Sequence, residues 1–126
     1  MGECSMAARR VARHLQHMHL NGLGLAEIVT LSGWADFWRA HAVELEVRHA
    51  LRNGARRFVV DLTAATAVDS AMLRSLILAQ KEVRGLAGQV VFACGEAPMR
   101  LFHVTGLDGL MHVVGSREEA LALVGR

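Results

Sequence analysis

Phe58, Val59, Val60 and Leu62 form a short apolar run, and beyond it Leu73, Leu76, Ile77 and Val83 recur at helical spacing. The first pattern predicts a strand buried on both faces, the second a helix that begins near residue 70 with its apolar side turned inward. Residues 63–69, between them, are small or polar and read as a loop that ends in Asp69-Ser70. In that phasing Leu73 and Ile77 face the core. Met72 falls on the exposed start of the helix, where a flexible thioether can pack against a partner.

The alternation extends in both directions. Residues 26–31 supply a strand through Ile28, Val29 and Leu31, and Gly33 ends it. Asp36 is placed to cap a helix that runs to about residue 53 and stops at Gly54. Val43, Val47, Ala50 and Leu51 form its inward stripe, with Glu44, Glu46, Arg48 and Arg52 mostly outside it. After a turn bracketed by Gly85 and Gly88, Val90, Val91 and Phe92 mark a strand over residues 89–94. Pro98 opens a short helix through Met99, Leu101 and Phe102 that Gly106 terminates. Residues 110–114 read as a last strand, and Ser116-x-x-Glu119 is a capping box that starts a terminal helix through Leu121 and Val124. Strands and helices at these intervals predict an α/β fold whose later strands are mainly parallel.

The first twenty residues admit two readings. Residues 7–20 suit a basic helix, and residues 14–20 followed by Asn21-Gly22 suit a strand that enters a hairpin. The hairpin is preferred because residues 26–31 provide its return strand. Residues 1–12 are then an N-terminal arm, and residues 13–126 the folded domain.

A chain of 126 residues is long enough for one domain, and 52% hydrophobic content argues against disorder. A net charge of +2, from 14 basic and 12 acidic residues spread along the chain, provides no dense basic face, so no direct nucleic-acid partner is expected. No apolar run reaches the roughly 18 residues of a membrane span, and no signal peptide is evident, which predicts a cytoplasmic protein without membrane insertion. Cys4 and Cys94 are too far apart for a paired metal spacing and read as free thiols. His14, His17 and His19 invite a metal site, but with no carboxylate or cysteine near them in sequence they are better read as strand residues that need no ligand. No metal and no cofactor are expected. The absence of Gly-x-Ser-x-Gly, His-Glu-x-x-His or a phosphate-cradling glycine loop argues against an enzyme.

A serine at the boundary of residues 69–70 has a hydroxyl free to meet the unpaired amides of a helix's first turn, and a phosphate on it would face the positive end of the helix dipole. An Asp-Ser step before a helix is, on its own, more simply a cap. Asp69 is either an alternative cap or an acidic neighbour that a kinase reads.

The order of motifs is informative where no single motif is. Val60-Asp61-Leu62, Val68-Asp69-Ser70, Gly33-Trp34-Ala35-Asp36, Thr105-Gly106-Leu107-Asp108 and Ser116-Arg117-Glu118-Glu119-Ala120-Leu121 together resemble the STAS domain family, specifically the bacterial anti-sigma factor antagonists, over about residues 15 to 124. The resemblance implies a single STAS-like domain, with helices packed on a mixed, mostly parallel sheet and a leading hairpin. It implies that Ser70 is the phosphorylatable serine, and that Asp36, Asp69, Ala71 and Met72 belong to the partner-binding surface. The sequence departs from the family pattern at Met72, where glycine is usual, at Trp34, which replaces an acidic residue, and at Ala35, which replaces an apolar branched one.

The function implied is that of a module which docks on an anti-sigma factor serine kinase until Ser70 is phosphorylated, and so regulates transcription. The runner-up is a STAS subunit of a membrane lipid transport system of the ABC type, gripping its ATPase. A metal-dependent enzyme built on the histidines is a distant third. No oligomeric state is implied.

Overall fold

A strand whose side chains are apolar in both directions needs cover on both faces of its sheet, and the elements of this chain supply it. The computed structural model describes residues 15–19, 25–35 and 37–124. In order these form β1 (Leu15–His19), β2 (Leu25–Thr30), β3 (Gly33–Ala35), α1 (Phe37–Arg52), β4 (Arg57–Leu62), β5 (Ala65–Val68), α2 (Ser70–Gly85), β6 (Gln89–Cys94), α3 (Glu96–Thr105), a 3-10 turn (Leu107–Gly109), β7 (Val113–Val114) and α4 (Arg117–Leu123). The expected N-terminal arm and His14 lie outside the described residues.

The main sheet has the order β1-β2-β4-β6-β7. β1 and β2 are antiparallel, the hairpin the sequence favours, and the other pairs are parallel. Phe58, Val60 and Leu62 of β4, with Val90, Phe92 and Cys94 of β6, face α1, α2 and α3. Val59, Val91 and Ala93 point the other way, into a smaller core under Ala120 and Val124 at the C-terminal helix. Each of the valine, leucine and phenylalanine side chains among these contributes on the order of 1.5–3 kcal/mol by leaving water. The rings of Phe92 and Phe102 pack at 6.0 Å, which seats α3 against the sheet.

α1 buries Val43, Val47, Ala50 and Leu51, the stripe read from its spacing. Arg48 ties it to α2 through Glu82 at 2.7 Å. The turn from α2 into β6 leaves no room for a side chain at Gly88: a Cβ there would meet the Arg56 carbonyl oxygen at 2.6 Å and Val83 Cγ1 at 2.7 Å.

The structure departs from the sequence expectations in the connections. Residues 63–69 are not all loop, because Ala65–Val68 forms β5 and pairs in parallel with β3 as a separate two-stranded ribbon. Its Thr66 and Ala67 are exposed, so it lacks the apolar run that betrays a buried strand. The last strand is only Val113–Val114. The residues before it are drawn away: the Leu110 carbonyl accepts from Gln80 Nε2 at 3.1 Å, and Met111 is buried. α3 begins at Glu96, two residues ahead of Pro98, which sits buried in its first turn.

Candidate switch and partner-binding surface

The path to Ser70 is set by two carboxylates. Asp61, at the end of β4, accepts from the Thr63 amide at 2.9 Å and the Thr63 hydroxyl at 2.6 Å, which fixes the turn out of the central strand. β5 then carries the chain to Asp69, whose extended backbone and side chain start the next helix: Oδ1 accepts from the Met72 amide at 2.8 Å. Asp69 is therefore the cap. Ser70 is the first helical residue, it is exposed, and it does not serve as the cap.

This phasing corrects the expectation for Met72. Its side chain has no exposed surface and lies in the main core with Leu76, Ala79 and Val83. Those positions, at 72, 76, 79 and 83, make the inward stripe, and Leu73 and Ile77 are only partly buried at its edge. A residue closed off by its own fold cannot touch a partner, so Met72 leaves the proposed contact surface. Ala71 is half-buried beside Ser70. Asp36 lies outside the described residues.

Around Ser70 the surface is a groove of about 530 Å³ between α1 and α2, lined by His41, Glu44, Ser70, Ala71, Arg74, Ser75 and Leu78. β3 forms its neighbour, since Trp34 pairs in register with Ala67 and Ala35 with Val68, one step before Asp69. The Arg39 guanidinium donates to the Ser32 and Trp34 carbonyls and so holds this ribbon against the first turn of α1. Trp34 is 64% exposed and Trp38, on that turn, 61%. The arrangement suits protein contact: a serine hydroxyl, one basic side chain and two outward indoles on rigid elements.

Trp38, Arg74 and Ser75 were not singled out from the sequence. Positions 70 and 74 share a helix face, but that face becomes outward only once Asp69 is known to be the cap.

No group of three histidine, cysteine or acidic side chains among the described residues is close enough to hold a metal ion. Cys94 is a buried packing residue. Burial, with the negative Asp61 nearby as the lesser cause, pushes its thiol up to about 12, so it is not a nucleophile at neutral pH. Among the described residues no helix is long and apolar enough to cross a membrane.

Residues 18–115 match the family model described as Mlab, STAS domain. The chain is 31% identical over 96 residues to BtrV of Bordetella bronchiseptica, described as an anti-sigma factor antagonist, which covers 75% of this chain and 83% of that protein. The fold is similar to that of an anti-sigma factor antagonist from Mycobacterium paratuberculosis, with a TM-score of 0.71, 26% identity and coverage of 89% of this chain and 93% of that one. It is also similar to Bacillus SpoIIAA, solved in its phosphorylated form, with a TM-score of 0.64, 17% identity and coverage of 86% and 96%. With a mostly parallel sheet, helices on both of its faces and these likenesses, the chain belongs to the STAS domain family, among the anti-sigma factor antagonists.

Proposed function

We propose that this domain is a phosphorylation-switched binding module: unmodified, it docks in the cytoplasm on an anti-sigma factor serine kinase and frees a sigma factor, and modification of Ser70 releases it. The observation that carries the reading is that Asp69 has taken the capping role, holding the Met72 amide at 2.8 Å. The exposed hydroxyl of Ser70 beside it has no structural duty. A kinase moves the γ-phosphoryl of ATP to Ser70 Oγ; the new O–P bond forms as the bond to ADP breaks, and the hydroxyl proton is released. The product carries roughly two negative charges at a helix start, where the dipole tolerates them. A partner pressed against this rim would have to bury the added charge, and is expelled. The likeness to BtrV, described as an anti-sigma factor antagonist, and to SpoIIAA, solved in a phosphorylated form, supports this reading. The domain then acts by binding and carries out no reaction of its own.

The test is phosphopeptide mapping after incubation with the cognate kinase and ATP, with a pull-down from the native host by wild type and Ser70→Asp. The label is expected on Ser70 and not on Ser5, Ser32, Ser75 or Ser116, and the kinase is lost from the Ser70→Asp pull-down. Label on one of those other serines, or undiminished labelling of Ser70→Ala, overturns the reading.

One observation favours the second reading, a subunit that grips the ATPase of an ABC-type lipid transport system. Trp34 and Trp38 give an apolar contact that needs no phosphate control. Recovery of an ABC-type ATPase by wild type and Ser70→Asp alike would decide for it.

A further inference from the structure

Arg74 stands one helical turn beyond Ser70 on the same face of α2, and both open onto the groove shared with α1. The neighbouring ion pairs of these helices run through Arg48, to Glu44 at 3.9 Å and to Glu82 at 2.7 Å. Arg74 takes part in none, and among the described residues no acceptor holds its guanidinium. Deeper in the groove is Ser75, only 8% exposed. Its hydroxyl also has no hydrogen-bond partner among the described residues. The groove therefore presents, beside Ser70, a guanidinium with no partner among the described residues and a largely buried serine.

The remaining charged and titratable groups facing the position are His41 and Glu44 from α1, across the groove, and the capping carboxylate of Asp69. Glu44 is engaged by Arg48 and Asp69 by the Met72 amide. An acidic group followed four residues later by a basic one is the favourable order on a helix, and a phosphate adds a dianion to the first of these positions.

We propose that the phosphate on Ser70 is received in cis by Arg74 over the groove that Ser75 floors, so that modification also withdraws Arg74 from any carboxylate a partner would present to it. This rests on the reading of Ser70 as the modified residue. Before modification the guanidinium is open to a partner, and afterwards it is occupied by its own chain. Release then follows both from added charge and from a lost contact.

The experiment installs phosphoserine at position 70 of the full chain during translation, so that no kinase is needed, and follows the second ionisation of the phosphate by phosphorus NMR. In wild type it is expected below that of Arg74→Ala by at least about 0.2–0.4 of a pH unit, the size an ordinary one-turn ion pair produces, with Arg74→Lys in between. Lys81→Ala, farther along the same helix, serves as the control for the general field and is expected to leave the titration where it is. Coincident titrations for wild type and Arg74→Ala, or an equal displacement by Lys81→Ala, would overturn the proposal. Thermal melts confirm that each variant is folded. A kinase that fails to label Ser70 defeats the functional reading and leaves this pairing standing; coincident titrations with Ser70 labelled do the reverse.

Discussion

The Asp69 carboxylate accepts the Met72 amide at 2.8 Å, and that single hydrogen bond joins a half-buried acidic cap to a methionine with no exposed surface. It fixes the helix by its first turn. Everything that the chain presents around Ser70 follows from the rotation so imposed.

Asp69→Ala is expected to cost about 0.5–2 kcal/mol, with Asp69→Asn close to wild type, because the cap is lost in one and kept in the other. Ser70→Ala is expected to stay within about 0.5 kcal/mol, as for an exposed surface change. Urea titration of the three variants checks the order. A Ser70→Ala variant as unstable as Asp69→Ala would mean that the serine shares the capping.

Met72→Ala is expected to cost about 2–5 kcal/mol as a large-to-small change in a closed core, and Met72→Asp to prevent folding by burying an unpaired charge. Leu73→Ala, at the edge of the core, is expected to cost less than Met72→Ala. Thermal melts rank them, and the opposite ranking would restore the rotation first read from the sequence.

Trp34→Ala and Trp38→Ala are expected to weaken partner binding by tenfold or more, about 1.4 kcal/mol or above, as indoles at the centre of an interface do. Their melts should change little, since both side chains are mostly outside the core. Isothermal titration of each variant against the recovered partner measures the loss. Unchanged affinity in both would remove the indoles from the contact.

Cys94 predicts a loss of stability in alkali. Its folded thiol ionises at about 12 against an ordinary 9.0, so both states are neutral below 9 and its packing is intact. Between 9 and 12 only the unfolded thiol ionises, which favours unfolding by at most about 1.4 kcal/mol per pH unit. Urea midpoints at pH 8 and pH 10 should fall more in wild type than in Cys94→Ala, each made in a Cys4→Ser background. At neutral pH a thiol reagent should label Cys94 only on unfolding.

The strands and helices of the main layer were legible because their patterns are two-sided: Phe58 to Leu62 and Val90 to Phe92 are apolar on both faces, and Val43, Val47 and Leu51 repeat at helical spacing. Two features were not. Ala65 to Val68 are too small and too exposed to mark a strand, so the ribbon with Gly33 to Ala35 left no periodic trace. In α2, apolar residues adjoin at 72–73 and again at 76–77, so two stripes one residue apart both fit the spacing. Choosing between them needs the identity of the cap, and Asp69 and Ser70 are both good caps. The groove residues Arg74 and Ser75 were hidden by the same ambiguity.

Gly33 has a positive φ of 69° and donates its amide to the Ala64 carbonyl at 3.0 Å, and the Leu31 amide reaches the Asp61 carbonyl at 3.0 Å. Main-chain hydrogen bonds of this kind run on from the β2–β4 pair into the start of the β3–β5 ribbon, and they are indifferent to the side chains on either side. Trp34 and Ala67 can therefore be exchanged for other residues while the five-stranded sheet keeps its register. The ribbon is thus pinned by its main chain, and its outward side chains can be rewritten without renegotiating how the domain folds.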